Sequence, residues 1–535
     1  MALASEMTPT GRLSNQLKFW IELVIKFTMA FYSGLFSVGS LKLLLFSIVS
    51  YFIYIHLLKP ALHYIYIVIH YHGFHYQPKS FLLGHLRQIW PNFPFYIDRK
   101  TLEASIYKQL HTIVGPDPSR SISVFWVSLF PLVFASGYEI VEEILNKKPL
   151  KKPMIYRFLG LGDGLISSPP AIWKVRRKLI EPFFTTRKMR DHAKNMYQEM
   201  ESFGKQLDGE VGKPIDLIHH IHTSILNIIL KSSAGIPLDD CMEDKKKIVE
   251  LVATGERNAV QRLINPFYQF DWIFNLSTFS KAYYKAIENF EEMAYNIFRK
   301  RKQLLQSLPS NQPENQDFLF LIEGKVDDQG LLDEIYTLIA AGNETIELAL
   351  RWNLFNLGNH LDVQEKLYQE IVQFFPDDKP IDDMDKLKEC VYLDQCVKES
   401  LRMNPPVWGF ARVLEEDIMV KDKRLIKGSV VSVLVEATHH DPKVYPNPKK
   451  YDPDRWSPEN ASKIPKAAFI PFGYGPRSCI GYRYAMIELK IFTIQIIRKF
   501  SLRSTRPHGS IPQKAEITLK PVEPLEIIMK PRNNN

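Results

Sequence analysis

Four cysteines occur among 535 residues, and one of them, Cys479, stands in a setting that invites chemistry. The stretch AFIPFGYGPRSCIGYRYAMIELK (468–490) surrounds it with Gly473, Gly475, Gly481 and Arg477, then runs into an apolar-periodic helix. Glycines there permit turns and a close approach to a bulky group that side chains would block. A cysteine just ahead of a helix meets free N–H groups and the positive end of the dipole, which favour a thiolate. Arg477 offers a planar cation to a carboxylate on whatever docks beside it. A soft, desolvated thiolate facing a flat space suits the axial position of a haem iron. On these residues alone, an ordinary glycine turn with a buried cysteine stays open as the alternative.

Two further groupings carry chemistry. In AAGNET (340–345), Glu344 and Thr345 form an acid–alcohol pair able to relay protons. Isolated, it would be a polar patch on an exposed helix, and NET also fits a glycosylation sequon. The sequon is discounted because these residues fall where a cytosolic domain would bury them. In ESLR (399–402), Glu399 and Arg402 lie three apart on a predicted helix, so they share a face and can pair. Most such pairs decorate surfaces.

Together these segments resemble the cytochrome P450 family. FGYGPRSCIG matches its haem-binding signature, Phe-x-x-Gly-x-Arg-x-Cys-x-Gly, at Phe472, Gly475, Arg477, Cys479 and Gly481. AAGNET is similar to the family's oxygen-activating helix at Ala341, Gly342, Glu344 and Thr345, where a local helix distortion would admit dioxygen and water. ESLR matches the family's buried pair, completed by an arginine from a later loop, here Arg455 of YDPDRW. The resemblance further implies haem-propionate contacts from Trp173, Arg177, Arg412 and His439. It covers roughly Gln77 to the C-terminus. Pro170, Leu361, His440, Tyr451 and Trp456 depart from usual family residues without touching the thiolate, the acid–alcohol pair or the Glu–Arg pair.

The elements that must position these residues are mainly helical. Helical periodicity dominates from about Trp173 to His360, with breaks near Gly235, at Asn265-Pro266 and in a polar loop at 307–316. VYLDQCVKESLRM (391–403) is a helix ended by Asn404-Pro405-Pro406. SISVFWVSLFPLVFAS (121–136) reads as strands broken at Pro131, and SVVSVLVEA (429–437) as another strand. An irregular, proline-rich stretch (440–476) precedes one last long helix. The expected fold is mainly α with minor β: a large helical domain plus a small β-rich N-terminal part.

The N-terminus differs in kind. From Phe27 to Leu58 the only charge is Lys42, and a spanning helix needs ~20 apolar residues. We therefore expect an N-terminal segment (1–36), a transmembrane anchor (37–58) stopped by Lys59-Pro60, an interfacial linker (59–76) and a catalytic domain (77–535). The implied location is the endoplasmic reticulum membrane, single-pass, with the catalytic domain in the cytosol. So few cysteines make no disulfide framework and suit a reducing compartment; Cys390 and Cys396 read as buried small hydrophobes. The net charge of +9 comes from scattered clusters, among them Lys147–Lys152, Lys174–Lys178 and Lys245–Lys247. We read them as solvated faces, and find no signature of nucleic-acid binding beside them.

The implied activity is that of a haem b monooxygenase placing one oxygen atom from dioxygen into a lipophilic substrate. The chain has no dinucleotide fingerprint and no flavin domain, so electrons must come from a partner; the resemblance implies an NADPH-dependent flavoprotein reductase. Lys174, Arg176 and Lys178 are candidates for its docking surface. A haem-thiolate isomerase or dehydratase of lipid peroxides, and a non-enzymatic haem-binding sensor, are the alternatives. Substrate recognition is expected near 135–175 and 225–275, where the aromatic residues Phe267, Phe270, Trp272 and Phe274 read as core.

Overall fold

The computed structural model describes residues 39–72, 121–127, 130–241, 254–255, 258–260, 262, 265–307, 317–376 and 383–532. The segment 1–36, the turn from Gln77, the loop 308–316 and Lys245–Lys247 lie outside them. The chain divides into two compact units, residues 1–77 with 129–131, and the remainder.

In the first unit, helix α1 (Gly39–Ile53) passes through a π turn (Tyr54–Leu58) into helix α2 (Lys59–His72). The helical run thus continues through Lys59-Pro60 instead of stopping there. The Lys59 N–H bonds to the Tyr54 carbonyl, the wider hydrogen-bond ring by which a helix can carry an irregularity onward. No helix among the described residues is long and apolar enough to cross a membrane.

The second unit is built on helices α3 (Tyr138–Asn146), α4 (Pro170–Ile180), α5 (Thr186–Leu207), α6 (Ile218–Ala234), α7 (Thr278–Ser307), α8 (Asp328–Asn359), α9 (Leu361–Phe374), α10 (Val391–Met403) and α11 (Tyr482–Lys499). Helix α8 is buried along most of its length, packed against α6, α10 and α11, and buries polar residues such as Asp333, Glu334, Glu344 and Arg351 with its apolar ones. Asp327 caps its start by accepting the Gly330 N–H (3.0 Å). Helix α10 takes its cap from a neighbour: Glu370 on α9 accepts the N–H groups of Tyr392 (2.7 Å) and Leu393 (2.8 Å). Gly235 closes α6 with φ +67°, as the sequence break there requires. One large core joins α5, α6, α8, α9, α10 and α11, and Cys390 and Cys396 are fully buried in it.

The strands are β1 (Ile122–Val127), β2 (Phe130–Ala135), β3 (Pro214–Ile215), β4 (Gly409–Val413), β5 (Ile418–Val420), β6 (Lys423–Leu425), β7 (Val430–Leu434), β8 (Phe500–Ser504), β9 (Gln513–Ala515), β10 (Leu519–Pro521) and β11 (Ile527–Pro531). They form one four-stranded sheet (β1-β2-β7-β4), one three-stranded sheet (β3-β11-β8) and the hairpins β5–β6 and β9–β10. Pro131 lies inside β2 and not at a break, because ladder pairing with β7 begins only at Leu132. The strand read over 429–437 ends at Leu434, where Val435–His439 turn into a short helix. The strands after α11 are additions to the sequence reading; each spans only three to five residues, too few for a clear period.

Of the aromatic group read as core, only Phe274 is buried, beneath Tyr283 and Tyr268. Phe267, Phe270 and Trp272 are exposed, Trp272 by 69%.

Candidate active site

The loop from Ile470 to Gly481 folds back on itself before α11. Gly473 N–H bonds to the Ile470 carbonyl (2.9 Å), Ser478 N–H to Gly475 (3.0 Å) and Cys479 N–H to Phe472 (2.8 Å). Gly473 (φ +74°) and Gly475 (φ +79°) occupy left-handed backbone that costs other residues about 1–2 kcal/mol. Gly481 differs: its φ of −84° is ordinary. A Cβ there would sit 3.9 Å from the Cys479 Sγ, so the missing side chain leaves space beside the sulfur.

The backbone N–H groups of Gly481 and Tyr482, at the start of α11, lie on the side of that sulfur. Burial pushes the thiol up from its ordinary value, while Gly481, the Arg177 guanidinium and Tyr482 pull it back. The Cys479 side chain is itself exposed to the cavity, where a bound cation would complete the thiolate.

Sγ opens onto a cavity of about 560 Å³. The cavity is also lined by Ala341, Gly342, Glu344 and Thr345 of α8, by Phe290, Phe318 and Val407, and by Ile517 and Thr518 from the β9–β10 turn. Gly342 lets α6 approach: a Cβ there would meet Ile229 Cδ1 at 3.0 Å. Helix α8 stays α-helical through this stretch, so the expected distortion is absent; instead Thr345 Oγ1 donates to the Ala341 carbonyl (2.7 Å). Asn343 is buried and its amide reaches the His222 carbonyl (3.4 Å), which removes it as a glycosylation acceptor.

Positive charge gathers on the cavity wall. Arg177 donates to the Ser478 carbonyl (2.9 Å), tying α4 to the cysteine loop. Arg477 lies over the Trp173 ring (4.4 Å) and donates to the carbonyls of Leu150 (3.1 Å), Leu165 (3.4 Å) and Ser168 (2.8 Å). Arg412 donates to Ala411 (2.9 Å), and Lys152 sits over Tyr156 (4.7 Å). All four cations and Trp173 line the cavity. Burial, then Arg412 and Arg177, push Arg477 down to about 10; burial, then Arg412 and Arg477, push Lys152 well down. Such mutual repulsion in a low-dielectric wall calls for anions. Haem, with two carboxylates on an apolar plane and a metal for the thiolate, fits this donor set.

His439 is absent from the cavity. It is fully buried, stacks on Phe469 (centroids 5.3 Å) and accepts the Ile470 N–H at Nε2 (2.9 Å), so it anchors the start of the cysteine loop instead of facing a propionate. Arg176 is buried too, paired with Glu334 (3.2 Å) and Asp333 (3.9 Å), and leaves the proposed docking surface to Lys174 and Lys178. Lys152 is the converse case: its place in a charge run suggested solvent, and only folding turns it inward.

Glu399 and Arg402 are completely buried. Glu399 accepts Arg402 Nε (2.8 Å) and Nη2 (2.9 Å), the Asp452 N–H (2.9 Å) and Trp456 Nε1 (2.9 Å), and pairs with Arg455 Nε (3.4 Å). Arg402 also reaches the His439 (3.1 Å) and Lys450 (3.3 Å) carbonyls. The departure at Trp456 thus adds a donor to the network.

A model of the cytochrome P450 family matches residues 106–529. The chain is 29% identical over 440 residues to cytochrome P450 4c3 of Drosophila melanogaster, covering 77% of this chain and 82% of that one. It is 28% identical over 459 residues to leukotriene-B4 omega-hydroxylase 3 of Mus musculus, covering 81% and 85%. The crystal structure of the cytochrome P450DA heme domain superposes with TM-score 0.70 at 21% identity, over 86% of this chain and 97% of that chain. With the thiol, the cation-lined cavity and this likeness in hand, the chain belongs to the cytochrome P450 family of haem-dependent monooxygenases.

Proposed function

We propose that this protein hydroxylates a lipophilic chain-like substrate, drawing electrons from an NADPH-dependent flavoprotein reductase. The observation that carries the reading is Cys479, just ahead of α11, opening onto the same apolar cavity as Glu344 and Thr345. Haem would be held by Cys479, with its carboxylates met by Arg177, Arg412, Arg477, Lys152 and Trp173, and would supply the oxygen-activating chemistry. Phe472 and Gly481 would pack beside the ring, and Ala341 and Gly342 would leave room above it. Glu344 and Thr345 would carry protons into the site. Glu399, Arg402 and Arg455 would hold the core behind it and take no part in the reaction.

The substrate class is favoured by an apolar cavity and by likeness to a relative whose name specifies leukotriene omega-hydroxylation. We assign the anchor to 37–58 in the endoplasmic reticulum membrane, with residues 77–535 on the cytosolic side. Supporting this are the exposed Phe46, Tyr51, Phe52 and Leu58 along the first helical run. Lys174 and Lys178, both exposed, suit an acidic reductase surface.

The test is a reduced, carbon-monoxide-bound spectrum with reductase-supported turnover of a long-chain fatty acid. Thiolate ligation and NADPH-dependent hydroxylation are expected, both abolished in Cys479→Ser. Turnover of a lipid hydroperoxide without NADPH, unaffected by Thr345→Ala, would favour the isomerase alternative instead.

A further inference from the structure

The carboxylate of Glu344 is not left to its own helix. Although Glu344 lines the cavity, Thr518 Oγ1 donates to its Oε1 (3.1 Å) and Lys520 Nζ pairs with the same oxygen. Lys520 also pairs with Glu516 (3.2 Å), which in turn meets Lys514 Nζ (2.5 Å). All four residues, Lys514, Glu516, Thr518 and Lys520, belong to the β9–β10 hairpin, joined by the register Ala515↔Leu519. The hairpin tip is fixed from outside: Trp408 Nε1 donates to the Glu516 carbonyl (2.9 Å) and Leu519 N–H to the Pro406 carbonyl (2.8 Å). Lys520 and Lys514 each keep 23% of their side-chain surface in solvent, whereas Glu344 keeps 9%. An unbroken line of charged groups therefore connects the cavity to water.

We propose that Lys520 is the positioning residue for Glu344, holding its carboxylate at the cavity wall and linking it through the hairpin to solvent. The proposal rests on the reading of Glu344 as a proton carrier, and adds the group that sets where that carboxylate points and how it charges. Among the described residues, His222 on α6 and Glu347 on α8 itself also face Glu344, with Glu516 beyond Lys520. His222 is held neutral by burial, at about 4, and Glu347 is committed to Arg351 (2.7 Å). Lys520 is a cation paired directly with Glu344, and a paired cation lowers a carboxyl's titration by about 1–3 pH units.

The experiment titrates the resting holoenzyme by infrared spectroscopy, assigning the Glu344 carboxyl by subtraction of Glu344→Gln, in parent, Lys520→Met and Lys520→Arg. The same three proteins are assayed for the acid limb of turnover and for the share of NADPH lost as hydrogen peroxide. In Lys520→Met the carboxyl titration and the acid limb should move together toward alkaline pH by about 1–3 units, with peroxide rising, and Lys520→Arg should restore all three. Thr518→Val, which keeps the lysine, should leave the titration within about half of the Lys520→Met shift, since a neutral donor is the weaker partner. Arg506→Gln, on an exposed pair with Glu523 in the preceding loop, controls for general disturbance and should move nothing. An unmoved infrared titration in Lys520→Met overturns the proposal, as does a titration that moves while the acid limb stays. If Glu344→Gln itself turns over like the parent, the proton-carrier reading fails first, a result separable from failure of the lysine.

Discussion

Two buried acid–base groupings in this protein are built differently. Glu399 and Arg402 sit three residues apart on α10 and are sealed from solvent, every contact answered by a backbone or side-chain partner. Glu344 and Thr518 are 174 residues apart, and their network lies between cavity and water. A sealed, satisfied network can only stabilise, since its members have no change of partner available. One that touches both the cavity and solvent can exchange protons. Burial alone therefore does not distinguish the two groupings; the route to water does.

The largest effect should come from breaking the sealed network. Arg402→Leu strands the Glu399 carboxylate, and we expect a loss of about 3–5 kcal/mol in denaturant unfolding. Lys520→Met, whose lysine reaches solvent, should cost far less in the same measurement. Equal losses would erase the distinction between the two groupings.

Next comes a buried histidine held against a backbone carbonyl. His192 is pressed against the Phe183 carbonyl (3.0 Å) and held neutral, burial taking it from 6.5 to about 4. Its folded value lies below its unfolded one, so above pH 6.5 it contributes no pH dependence. As pH falls from 6.5 toward 4 the unfolded chain gains a proton first and stability drops, by up to about 3 kcal/mol. Glu347, raised by burial to about 7, tilts the same range the other way, so the difference between parent and His192→Gln is the quantity to read. That difference should shrink steadily between pH 6.5 and 4; a constant gap would contradict the assignment.

Gly473→Ala tests the cysteine loop, with an expected cost of about 1–2 kcal/mol from its positive φ and weakened haem retention. Gly481→Ala, at ordinary φ, should fold normally and alter the haem spectrum instead. The smallest effect belongs to the exposed pair Arg506–Glu523 (2.6 Å), where Arg506→Gln should change stability by less than about 1 kcal/mol.

Legibility followed distance along the chain. The helix 391–403 ends where its Asn-Pro-Pro stop signal places it, and its Glu–Arg pair was readable because three residues on one helix share a face. The cysteine loop was readable because its glycines and thiol are contiguous. Pro131 misled because its missing N–H matters only if the ladder asks for it there, and the ladder starts one residue later. His439 and Arg176 misled because their segments run correctly while their side chains turn to partners in other elements.

By itself, then, the sequence determined the cysteine and the glycine loop around it, the adjacency of Glu344 and Thr345, and the mainly helical class. Tertiary structure decided which cations face the cavity, that Lys152 joins them, and that a hairpin lysine meets Glu344 across the fold. The physical reason is that local geometry is set by bonded spacing, whereas a charge takes its role from the medium around it. That medium exists only once distant segments have packed.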